Sequence, residues 1–136
     1  AWLPPGGHIH QNEDPAQAVV REIKEETGLT AKIVFTGHHF DLGYPTQVSP
    51  PLTIMIEDID DPVIGYHQHI DMIYACKLSE TINSVRHMWQ WVSRDDLVAG
   101  KPLKCENGIL VPPPKDVQLI AEQSFVVVEN SVLDPS

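Results

Sequence analysis

No stretch of about 18 consecutive apolar residues occurs in the chain, so nothing in it reads as a membrane-spanning helix. No positively charged, apolar leader opens it. Only two cysteines are present, Cys76 and Cys105, and their separation fits no metal-binding spacing. Cys76 sits in an apolar run, where a buried free thiol is the simplest reading, and such usage suits a reducing cytoplasm. Basic residues are scarce, nine against nineteen acidic, for a net charge of −10. They are scattered singly, so the electrostatic footprint of a duplex nucleic-acid binder is missing. An anionic substrate would need a bound cation to offset this field. What is present is ordinary for one domain with a core: 136 residues, 42% hydrophobic and 21% charged.

Local signals divide the chain. Asp14 reads as an N-cap, Pro15 as the first helical position, Gln17 as the capping-box partner and Gly28 as the stop, which predicts a helix over 15–27. Strands are predicted over 31–40, 52–59 and 69–78, with a turn-rich loop over 41–51 and a connection "DDPVIGYHQ". A short strand is expected at "MWQWV" (88–92), then a brief helix capped by Ser93 and ended by Gly100. A last helix is expected over 115–125 after a proline-rich segment. Strands interleaved with few helices point to a mixed α/β layer fold.

On the first helix, Ala16, Val19, Val20, Ile23 and Thr27 form a stripe fit to bury against a sheet. Glu22, Glu25 and Glu26 crowd into an arc beside it. Like charges three and four apart repel, and the end of a helix is the wrong end of its dipole for carboxylates. One reading is a solvated acidic face, partly relieved by Arg21 and Lys24. The other is a compensating cation, and a cluster of oxygen ligands suits Mg²⁺ or, in its place, Mn²⁺, ions that recruit substrate phosphates.

The surrounding spacing decides between them. Gly7, five residues, Glu13, seven residues, then "REIKEETGL" reproduces every defined position of the signature of the Nudix hydrolases. Seven identities and two aliphatic positions would arise by chance on the order of once in 10⁹–10¹⁰ starts, so the chain is identified as a member of that family. "WLPPGGH" also resembles the segment that usually precedes the signature, apart from the double proline at Pro4 and Pro5. The resemblance implies an α/β/α sandwich with a mixed central sheet, spanning 1–136 as one domain. It implies hydrolysis of a nucleoside diphosphate linked to another group. Carried over by position, Glu25 and Glu26 are implied metal ligands, Glu22 a ligand or the general base, and Arg21 the group that orients them. Glu13 is implied as an outer member of the network, Gly7 as the point where backbone approaches metal and ligand, and Gly28 as the helix stop. Glu80 and Glu106 are loop alternatives for the base, without a motif to support them. "WQWVSRDDL" (89–97) resembles a late family segment much less specifically.

Other features leave choices open. His67, His69 and Asp71 alternate and share one face of a strand. They read first as polar residues lining a half-buried strand, next as substrate-pocket contacts with His69 foremost, and last as an extra metal site. His8 and His10 either reach the phosphates or face solvent. Pro45, sixteen positions after Leu29, resembles the ADP-ribose-hydrolysing group, whereas a tyrosine near that offset, such as Tyr44, resembles dinucleoside-polyphosphate enzymes. Tyr44, Tyr66, Trp89 and Trp91 are aromatics that could stack on a base, although tryptophans in a strand are more often core. Besides hydrolysis of an ADP-ribose-like compound, two readings stand: a silent nucleotide sensor and a housekeeping nucleoside triphosphate pyrophosphatase. Family members place strands ahead of the glycine segment, and only Ala1 and Trp2 precede Leu3 here. The expectation is therefore an upstream segment of about 30–40 residues, or a strand borrowed from a partner, a homodimer being one such arrangement.

Overall fold

A computed structural model describes residues 2–79, 85–86 and 88–131. Asp14 starts the first helix: its carboxylate accepts from the Gln17 amide at 2.7 Å, while the Gln17 side chain accepts from the Asp14 amide at 3.0 Å. This reciprocal capping box satisfies two amides that would otherwise lack partners. Gly28, at φ 81°, ends α1 (Pro15–Thr27), and its N–H bonds to the Lys24 carbonyl at 3.0 Å. The predicted bounds hold. Within the stripe, Thr27 is buried together with Ala18, while Ala16, Val19, Val20 and Ile23 are half-buried.

The helix packs on β1 (Ala31–Ile33), which pairs antiparallel with β4 (Cys76–Leu78). Leu29, Ala31, Ile33, Val34, Phe35 and Ala75 form the core at this junction, joined by Ala18 from above. Cys76 is a half-buried free thiol, and burial raises its pKa to about 11. The strand predicted over 31–40 stops early. Past Phe35 the Gly37 backbone presses on Pro50, where a Cβ would lie 2.8 Å from the ring. The Gln47 side chain then bonds the His38 carbonyl and the Phe40 amide, so the loop satisfies its own polar groups.

The long hairpin joins β2 (Thr53–Asp61) to β3 (Gly65–Ile73), nine residues each. Its turn is held by Asp61, whose carboxylate accepts from the Val63 and Ile64 amides at 2.7 and 2.8 Å, and by Gly65 at φ 93°. The strand predicted over 69–78 is in fact two. Before Tyr74 it pairs with β2, and after Ala75 it pairs with β1, so the chain changes partners at that point.

Residues 88–92 form no strand. Met88 adopts φ 79°, which breaks an extended run, and the Trp89 amide turns back to the Arg86 carbonyl. Trp89 is half-buried, whereas Trp91 is 60% exposed. Ser93 caps α2 (Arg94–Val98) as expected, accepting from the Asp96 amide at 3.2 Å. A small hairpin follows, β5 (Leu103–Lys104) with β6 (Leu110–Val111), and the Trp2 indole N–H donates to the Val111 carbonyl at 2.9 Å. The last helix, α3 (Lys115–Glu129), runs four residues past its predicted end. Arg94 extends it from α2 by pairing with Glu129 and covering the Phe125 ring at 5.4 Å. Every strand pairing is antiparallel; a parallel one, which a mixed sheet would add, is not found among the described residues. None of the described helices is long and apolar enough to cross a membrane.

Candidate active site

Arg21 is the hub of the site. Its guanidinium grips Glu13 with two hydrogen bonds, Nε at 2.8 Å and Nη2 at 2.9 Å. Nη1 donates to Glu22 at 2.8 Å and to Glu25 at 3.2 Å, and Nη2 donates to the His8 carbonyl at 2.9 Å. A planar, five-donor cation is suited to such a fork; an ammonium is not. Lone pairs left on Glu13 accept from the His10 amide at 3.0 Å. One helical side chain thus ties the glycine loop to α1.

The same loop reaches the other carboxylates. Gly6 donates its backbone N–H to Glu26. Gly7 lies so close to Glu22 that an added Cβ would sit 2.7 Å from the carboxyl carbon and 3.0 Å from Oε2. Only glycine allows that approach while Arg21 holds the carboxylate in place. The Gly7→Ala variant should therefore fold with nearly unchanged stability, because Glu22 can swing aside, yet lose at least tenfold in turnover. Thermal melts beside steady-state rates would separate the two effects, and an unchanged rate would mean that Glu22 need not stand where it does.

Protonation follows from these contacts. The Arg21 hydrogen bonds, aided by the His10 amide, hold the Glu13 carboxyl at about 2. Arg21 in turn is raised above its ordinary value by Glu13 and then Glu22. Glu26 moves the other way: burial raises its pKa first, the negative charges of Glu22 and Glu25 add to this, and the Gly6 amide opposes it. Because the folded pKa of Glu13 lies below the ordinary 4.5, its contribution to stability is complete above that value and fades as pH falls toward about 2. Urea titrations between pH 5 and 3 should show a shallower acid decline for Glu13→Gln than for the parent chain, and equal slopes would count against this pairing.

Three carboxylates, Glu13, Glu22 and Glu25, meet one guanidinium, and Glu26 adds a fourth beside Glu22 and Glu25, which leaves a surplus of negative oxygen. Glu22 is largely covered and Glu25 is 58% exposed, so the cluster opens to solvent on one side. This donor set fits a hard divalent cation. Beside it, α1, β1 and residues 46–49 enclose a groove of about 660 Å³ lined by Gln17, Val20, Arg21, Lys32, Gln47 and Ser49, a size suited to a small molecule.

The remaining candidates fall into two groups. His8 and His69 come together, their rings edge-on at 6.0 Å. Tyr44, at 88% exposure, takes no part in the hydrogen-bond network among the described residues, and Glu106 is exposed in the β5–β6 turn. Glu80 lies outside the described residues. Arg86 joins the site without any signal in the sequence: it donates to the Glu25 carbonyl while its own amide bonds the Thr27 carbonyl at 3.1 Å. It places a cation at the negative end of α1, where the carboxylates crowd. A lone arginine far along the chain carries no signal of this role.

Residues 1–112 match the sequence profile of the NUDIX domain. The chain is 29% identical over 90 residues to the asymmetrical bis(5'-nucleosyl)-tetraphosphatase of Rattus norvegicus, an alignment covering 58% of this chain and 61% of that one. It is 41% identical over 56 residues to the chloroplastic Nudix hydrolase 26 of Arabidopsis thaliana, covering 40% and 26%. In both cases the chain spans less than two thirds of the relative's length. The solved structure of a NUDIX-family hydrolase from Clostridium perfringens superposes with a TM-score of 0.62 at 25% identity, over 93% of this chain and 81% of that one. Sequence profile and fold agree: the chain belongs to the Nudix family and has its α/β sandwich fold.

Proposed function

We propose that this protein is a Nudix pyrophosphohydrolase that cleaves a diphosphate linkage in a nucleotide derivative with the help of a divalent cation. The observation that carries this reading is the carboxylate cluster of α1, gripped by a single arginine and met by a glycine loop. Glu22, Glu25 and Glu26 would hold Mg²⁺, with Mn²⁺ as a substitute. When bound, the ion neutralises phosphate charge and makes a water more acidic.

The chain's own residues supply the rest. Arg21 fixes the carboxylates in position, and Glu13 fixes Arg21. As the water oxygen bonds to phosphorus, the bridging P–O bond breaks, its electrons pass to the departing phosphate, and the water proton goes to a carboxylate. Glu22 is the candidate for that base within the signature. Gly7 lets the loop backbone close on the site, and His8, whose ring meets that of His69 beside the same loop, would reach the phosphates. Neither Cys76 nor Cys105 is in a disulfide, which suits a reducing compartment such as the cytoplasm.

ADP-ribose is the first substrate choice, on the position of Pro45. A second reading is a dinucleoside polyphosphate, favoured by the likeness to the rat tetraphosphatase. A sensor that binds without turnover is disfavoured because all the carboxylates of the signature are present. The test is a panel of ADP-ribose, dinucleoside polyphosphates and nucleoside triphosphates with Mg²⁺, scored by phosphate released after a phosphatase for the first two and after an inorganic pyrophosphatase for the triphosphates. Preferred release from ADP-ribose supports the first choice. Tight nucleotide binding without release from any compound would overturn the enzyme reading in favour of the sensor.

A further inference from the structure

A second group of metal-competent side chains lies off α1, on one face of the β2–β3 hairpin. The register sets Glu57 directly opposite His69, and Asp71 follows two residues along β3 on the same face. A carboxylate oxygen of Glu57, a ring nitrogen of His69 and a carboxylate oxygen of Asp71 all lie within 4.8 Å of one another. Donors on one ion with bonds of about 2.0–2.2 Å stand roughly 3–4.4 Å apart, so closure asks for a rotamer adjustment only. Glu57 is exposed and free to make it.

Two carboxylates beside one imidazole would ordinarily be tied by direct contacts. Among the described residues, neither the Glu57 nor the Asp71 carboxylate takes part in a hydrogen bond or ion pair. The imidazole, by contrast, is held from behind. The Gly65 carbonyl can only accept, so His67 donates to it from Nδ1 at 2.9 Å. His67 Nε2 in turn lies 3.3 Å from His69 Nε2, so one ring nitrogen of His69 has a side-chain partner. A histidine whose outer nitrogen is held by a partner is the usual arrangement of a metal ligand. His8 stands 6.0 Å from His69, so the group adjoins the glycine loop while sharing none of the α1 carboxylates.

We infer that Glu57, His69 and Asp71 form a separate site for a divalent transition-metal cation. One imidazole and two carboxylates favour Mn²⁺, Co²⁺ or Zn²⁺ over Mg²⁺. The inference is independent of the proposed hydrolysis. Its test uses Co²⁺ alone as the probe, by equilibrium dialysis and visible absorption, on the full chain carrying Glu25→Gln and Glu26→Gln. That background should still bind one Co²⁺ per chain, with Mg²⁺ a poor competitor. Adding His69→Ala should abolish binding and the absorption bands. Adding Glu57→Gln, an exposed change that spares the fold, should weaken Co²⁺ binding at least tenfold. A background variant that binds no Co²⁺, or a Glu57→Gln isotherm identical to its parent, would overturn the site.

Discussion

Glu26→Gln should lower turnover by about three orders of magnitude or more, and Glu25→Gln by a comparable factor, while neither variant melts earlier than the parent chain in the absence of metal. Glutamine keeps the shape of glutamate and removes the charge that a cation would need. Without metal that charge is a burden. Glu22 repels Glu25 and Glu26 across single helical turns, each pair costing about 0.2–0.5 kcal/mol, and burial adds to the strain on Glu26. The amide oxygen of a glutamine at position 26 can still accept from Gly6, so Glu26→Gln should melt slightly later. Glu25 also pairs with Arg21 at 3.2 Å on the exposed side, so losing it should leave the midpoint near that of the parent. Rates with Mg²⁺ and melts in chelator check both halves. A variant that loses activity only because it unfolds would break the argument.

Arg21→Ala should damage stability and activity together. It strips the cation from Glu13, Glu22 and Glu25 at once and cuts the tie to the His8 carbonyl. The melting midpoint should fall, and turnover should drop by at least a hundredfold as the carboxylates lose their fixed positions. Arg21→Lys tests the geometry apart from the charge: an ammonium cannot serve Glu13 by two parallel bonds while reaching Glu22. It should recover part of the stability and less than a tenth of the activity. Full rescue by lysine would reduce Arg21 to a neutralising charge.

Much of the site was legible because its residues lie within one run of sequence. The bounds of α1 follow from chemistry confined to Asp14, Pro15, Gln17 and Gly28, and the carboxylate arc follows from helical periodicity alone. The fold was legible wherever a local signal governs it, as with Ser93 at the start of α2. It was not where a distant contact decides. The early end of β1 depends on Gly37 meeting Pro50, and the split between β3 and β4 on a change of pairing partner. Strands of two residues, such as β5 and β6, are too short to show a period. Arg86 and Glu57 illustrate the same limit within the candidate sites: each gains its partner only in the folded chain.

The central claim is that the α1 carboxylates act by holding a divalent cation. The most direct measurement is nucleotide hydrolysis by protein freed of metal, followed through a Mg²⁺ titration. Release should sit at background in excess chelator and rise with Mg²⁺ to full activity in the parent chain, but stay low throughout in Glu26→Gln. Undiminished hydrolysis by the parent in excess chelator would contradict the account.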